Sequence, residues 1–276
     1  MSSSANALEV LLALVRWFHV ASAVLWLGPQ VYFAFVDPPL RSRWPDATRR
    51  ALDLELTPRL LAWLRWGAAG TWLLGFVLLF LTYYRTGLLL DLAAIDPARL
   101  SEFLLPDGRP SPRVWIPGFL GLLAAVSAYE LLARLLRRSD LALVVLTLAL
   151  LVLAGETLGR TFHHSGRAVF VQMGAMLGSI LASNVWSHIW PAERRAWIAR
   201  REGREPLAAD LALSAHRMRQ NSLLTLPLLF LMLSNHHALL YAGDPWPRPL
   251  VASAVLALGV LAALPLYRWA KLEPAP

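Results

Sequence analysis

Seven histidines and no cysteine bound the redox chemistry open to this chain. Without thiolates there is no disulfide, no iron–sulfur cluster and no covalent c-type haem, whose attachment needs Cys-x-x-Cys-His. Any redox centre must therefore rest on histidine, methionine or carboxylate. Neutral imidazole suits b-type haem, copper and zinc alike. His19, His163, His164, His236 and His237 all fall toward one end of the apolar stretches described below, and His188 and His216 toward the other. His19 stands out because it lies inside an apolar run, where an ionisable side chain is costly and marks function. Trp26 shares its helix face and Gly28 follows. Glu156 and Arg160, spaced i and i+4 on one face, approach the same level as the outer histidines, as do Gln172 and Asn235.

The elements that must position these residues are legible in the composition. Hydrophobic residues make up 57% of the 276 and charged residues 16%, with the charges gathered between long apolar runs. A helix crossing the hydrocarbon needs about 20 mostly apolar residues. Stretches 8–36, 60–84, 114–136, 141–158, 168–190, 222–241 and 250–269 meet that requirement. The expected fold class is all-α: one polytopic membrane helix bundle of about seven transmembrane helices, with the first span retained rather than cleaved as a signal peptide. Lys and Arg concentrate after the odd-numbered spans, which predicts the N-terminus outside and the C-terminus inside. The five gathered histidines then lie on the outer side. Much of the net charge of +8 becomes a topology signal. The Arg-rich stretch 194–219 reads as a solvated cytoplasmic loop beside anionic lipid, with no nucleic-acid partner. Segments 37–59 and 86–113 read as extramembrane connections, without a P-loop or dinucleotide fingerprint.

Gly174, Gly178 and Ala182 repeat every four residues and form a small-residue stripe. Such a stripe lets helices approach closely, and it would also admit a flat macrocycle against the backbone. Asn184, deeper in the same span, needs a hydrogen-bond partner inside the bundle.

Several runs resemble the membrane domain of PuuD-type urate hydroxylases. They are Gly166-Arg167-Ala168, Met173-Gly174-Ala175-Met176-Leu177-Gly178, Ala182-Ser183-Asn184-Val185-Trp186 with Ile189-Trp190-Pro191, and Asn221 followed by Thr225 to His236. Trp17-Phe18-His19-Val20 with Trp26-Leu27-Gly28 is similar to that family's first helix. The resemblance implies a multi-pass protein of the bacterial inner membrane with its site facing the periplasm. It implies oxidation of urate to 5-hydroxyisourate with water as the oxygen source, and one or two haem b groups. His19 and His236 are the expected iron ligands, ahead of His163, His164 and His237, with Trp26, Gly174 and Gly178 lining the cofactor. Arg160 or Arg167 would hold the urate anion and Glu156 or an unligated histidine would activate water, with Asn235 beside them. No Cys-x-x-Cys-His motif is present, so the expected electron acceptor is a separate cytochrome c. Gln172 and Gln220 stand where histidines are common in that family, so one ligand set is expected to differ.

Two other readings stay open. The His19, Trp26, Gly28 opening also recurs in CopD-like copper proteins, in which outer histidines would collect copper. Against that, the five methionines form no Met-rich track of the kind Cu(I) favours. The other is a b-type haem protein with a different substrate or a quinone partner.

Overall fold

The computed structural model describes residues 3–243 and 246–269. Most of that chain is helical, as hydrocarbon demands, since lipid offers nothing to backbone N–H and C=O groups and each span must satisfy them internally. Helix α1 (Ser3–Val31) runs through a wide helical turn, Tyr32–Val36, into Asp37–Arg41. The short α2 (Asp46–Glu55) leads into α3 (Thr57–Leu79), which ends in another wide turn, Phe80–Tyr84. Helix α4 (Pro112–Leu135) opens on a proline, where the missing N–H costs nothing. Helix α5 (Asp140–Thr161) is capped by Ser139, whose Oγ accepts from the Ala142 amide at 3.2 Å. Then follow α6 (Gly166–Asn184), a wide turn Val185–Ile189, α7 (Trp190–Arg201), α8 (Ala208–Leu233) and α9 (Arg248–Trp269).

Among the described residues, six stretches are long and apolar enough to cross a membrane: Asn6–Arg41, Asp46–Tyr84, Pro112–Leu135, Asp140–Thr161, Gly166–Arg201 and Arg248–Leu266. Their outward faces carry Leu14, Trp17 and Val24 on α1, Leu153 on α5 and Leu258 on α9, each more than half exposed. A soluble protein would present an aggregation-prone surface there, whereas acyl chains cover it without penalty. The chain is an all-α membrane helix bundle.

Two expectations are corrected. The helix expected at 222–241 is α8, Ala208–Leu233; it starts well before Ser222 and stops at Ser234, whose hydroxyl donates to the Leu231 carbonyl. Its first half is polar, with Asp210, Ser214, Arg217, Gln220 and Asn221 buried, so it is absent from the six apolar spans. The stretch 194–219 is a solvated loop only in its middle, 202–207, which is largely exposed. Its two flanks form the end of α7 and the start of α8, and Arg195 pairs with Asp210 at 2.5 Å.

The chain divides into two compact units. The first comprises Met1–Leu74, Leu181–Leu223 and Leu261–Pro276. Here α1 and α3 touch backbone to backbone: a Cβ on Gly67 would come within 2.6 Å of the Trp26 nitrogen. Helix α2 lies on α7, and Trp197 donates to the Leu54 carbonyl. The second comprises Gly75–Ile180 and Leu224–Val260. Here α4 packs on α5. The loop after α3 runs against the turn after α5, with Asp91 N donating to His163 O and Ser165 N to Leu89 O, both at 2.8 Å.

Candidate functional site

His19 lies on α1, half-buried, with its Nδ1 at 2.9 Å from the Thr71 carbonyl of α3. A carbonyl only accepts, so Nδ1 carries the proton and Nε2 keeps its lone pair. The close α1–α3 contact at Gly67 fixes the distance. Thr71 is itself held by its hydroxyl, which donates to the Gly67 carbonyl at 2.7 Å. A neutral ring oriented through its far nitrogen is the usual form of a histidine that binds a metal. His19 therefore fits an imidazole ligand to a haem iron.

Two turns along α1, Trp26 is 2% exposed and its Nε1–H meets no acceptor among the described residues. An unsatisfied buried donor costs about 1–3 kcal/mol. Trp26→Phe should then cost less than about 1 kcal/mol although the ring is buried, because lost packing is offset by removal of that donor. Thermal denaturation in detergent checks this. A loss of several kcal/mol would show that packing of the indole outweighs its unpaired donor.

In the second unit the adjacent pair His163 and His164 separate sharply. His163 takes a positive φ of 54° and sets its ring edge-on to Phe103, 4.9 Å between centroids. His164 is fully buried, its Nε2 donating to the Val114 carbonyl at 3.0 Å, while its Nδ1 has no hydrogen-bond partner among the described residues. Burial pushes its pKa down to about 4, against the smaller upward pull of the Val114 bond. The fold thus holds His164 neutral, whereas the unfolded chain takes up a proton as pH falls through about 6.5. The stability it contributes is complete above that pH and drains away toward pH 4, by an amount on the order of 3 kcal/mol. Denaturation between pH 7 and about 4 should show that slope, and His164→Leu should flatten it.

The other predicted residues occupy different settings. His236 and His237 are exposed in the short turns after α8. The side chain of Asn235 lies outside the described residues. Glu156 and Arg160 form an i,i+4 ion pair at 2.8 Å near the end of α5, the arginine 79% exposed, and Arg167 is also exposed. The glycine stripe is a packing seam: a Cβ on Gly174 would meet Met232 and Leu231 of α8, and one on Gly178 would touch Leu228. This removes the room a macrocycle would need over Gly174. Gln172 is locked in place, accepting from the Tyr84 hydroxyl at 2.9 Å and donating to the Gly118 carbonyl. Among the described residues, no three His, Asp or Glu side chains are placed to hold a metal ion together.

Arg217, which sequence reading passed over, joins Asn184 and Asn221 in a polar core of the first unit. Arg217 of α8 is 7% exposed and donates to the Asn184 side-chain oxygen of α6 at 3.1 Å. Asn184 in turn donates to Asn221 at 2.8 Å, and Asn221 to the Leu181 carbonyl at 3.0 Å. Both asparagines are wholly buried. Gln220 and His216 meet at 2.7 Å one turn away. A signal was available: Arg217, Gln220 and Asn221 are spaced i, i+3, i+4, which places them on one helical face.

Beside this core, buried Asp53 of α2 contacts two arginines: Arg200 Nε lies 3.1 Å from Oδ2 and Arg41 Nη1 2.6 Å from Oδ1. The second contact is a charge pairing off the hydrogen-bond axis. Arg41 also bonds Asp37 at 2.5 Å.

Among curated proteins and solved structures, nothing matches this chain significantly. The family model for the urate oxidase N-terminal domain does match, over residues 51–266, a span that takes in α3 to α8, His164 and the whole Arg217 core. With well over half its length matched, and with the helices that model covers folded as a membrane bundle, the chain belongs to the urate oxidase N-terminal family.

Proposed function

We propose that this protein is a membrane-bound, haem b-dependent urate hydroxylase that converts urate to 5-hydroxyisourate and passes the electrons to a separate cytochrome c. The observation that carries the reading is the family match across residues 51–266. In the reaction, urate and water give 5-hydroxyisourate, two protons and two electrons, the new C–O bond taking its oxygen from water. Haem, when bound, supplies one-electron steps that connect a two-electron donor to a one-electron acceptor. His19 would hold it through Nε2, kept in that tautomer by the Thr71 carbonyl. The protein's remaining tasks are to bind the planar anion, to exclude competing water and to carry away two protons. The expected setting is the bacterial inner membrane with the electron exit on the periplasmic side, where the positive-inside distribution of Lys and Arg puts the N-terminus of α1.

The test is direct. Detergent-purified protein should give a b-type pyridine haemochrome and consume urate only when oxidised cytochrome c is supplied. Protein that binds haem but leaves urate untouched under those conditions contradicts the reading.

A further inference from the structure

We propose that Arg217, Asn184 and Asn221 form the subsite that binds the urate anion, an assignment that rests on the urate reading above. The arrangement costs more than adhesion between the two helices requires. Holding α6 to α8 needs only amide-to-amide hydrogen bonds, and Asn184 with Asn221 supplies one at 2.8 Å. A guanidinium buried to 7% exposure adds a desolvation penalty that such adhesion does not call for. A buried cation inside a membrane bundle is a functional residue by default.

The chemistry around it matches the ligand. Urate is a flat monoanion whose rim alternates carbonyl acceptors with ring N–H donors. A guanidinium fork donates in one plane to an anionic nitrogen and its neighbouring carbonyl. Carboxamides both donate and accept, so Asn184 and Asn221, which bond each other and the Leu181 carbonyl in this structure, would exchange those bonds for the alternating rim. Arg217 and Asn221 are one turn apart on α8, and the Asn184 oxygen lies 3.1 Å from the guanidinium, so the three groups converge. One turn away, half-buried His216 bonds buried Gln220 at 2.7 Å, so the polar cluster continues to a partly exposed residue of α8. The cations Arg160 and Arg167 are exposed, where water competes for every hydrogen bond.

The experiment compares wild type, Arg217→Lys and Arg217→Gln, purified with haem content measured. Each is titrated with urate and with a neutral, fully N-methylated xanthine of similar shape. Arg217→Gln should weaken urate binding roughly ten- to hundredfold, the loss of a charge-assisted contact, and leave the neutral analogue nearly unaffected. Arg217→Lys should fall between. If Arg217→Gln does not fold, Asn221→Asp serves instead: a carboxylate facing the anion should weaken urate selectively. Equal weakening of both ligands in folded protein, or unchanged urate affinity in Arg217→Gln, overturns the subsite while leaving the urate reading intact. Wild-type protein that binds no urate overturns both.

Discussion

His19→Ala is expected to yield a folded protein that has lost its haem, with the haem-to-protein ratio in a pyridine haemochrome assay falling by roughly ten- to hundredfold. The size follows from position. The ring is fixed between α1 and α3 by a single hydrogen bond to a backbone carbonyl, so no side chain has to rearrange for Nε2 to stay available. Loss of the ring should cost little stability, because His19 is only half-buried and its partner, the Thr71 carbonyl, belongs to a helix. His19→Ala therefore separates cofactor retention from folding. Full haem retention in the variant would move the ligand elsewhere. His236→Ala and His237→Ala are the natural controls, since both rings are exposed.

Asp53→Ala is expected to be strongly destabilising, by about 3 kcal/mol in thermal denaturation. One buried carboxylate contacts two guanidinium groups, and its removal leaves both without it. Breaking a buried ion pair from one side costs about 3–5 kcal/mol. The lower end applies because the Arg41 side chain is 29% exposed and partly solvated, whereas that of Arg200 is 18% exposed. Replacing Asp53 and Arg200 together by leucine should recover part of the loss, a coupling of about 1–3 kcal/mol. The exposed pair Arg99 and Glu102, 58% and 45% open to solvent, is the contrast. Its removal should leave the thermal denaturation midpoint nearly unchanged.

The contrast between these arginines explains how far the sequence could be read. Long apolar runs declare themselves, because crossing hydrocarbon demands about 20 apolar residues whatever the fold. That logic recovers α1, α3, α4, α5, α6 and α9 from hydropathy. It fails at α8, where the same logic assigns polar residues to solvent. Arg217, Gln220 and Asn221 are polar yet buried, since Asn184 of another helix meets Arg217 and Asn221, and hydropathy is blind to a partner more than thirty positions away. The buried role of Asn184 was legible, because an asparagine within an apolar span needs a partner wherever it points. His163 and His164 show the opposite limit. Adjacent and identical in type, they part at a backbone turn with positive φ, which sends one ring to Phe103 and the other into the core. The glycine stripe of α6 allowed two uses, and the side chains of Leu231 and Met232 decide between them.

On the proposed function, urate gives up two electrons inside this membrane bundle. The measurement that addresses it most directly is the stoichiometry of anaerobic turnover: purified protein, urate and oxidised cytochrome c, with urate loss and cytochrome reduction followed together. Two molecules of cytochrome c reduced for each urate consumed, with labelled oxygen from water appearing in the product, is the predicted result. Haem-loaded protein that leaves urate intact, or that consumes it only with dioxygen as oxidant, would contradict the account.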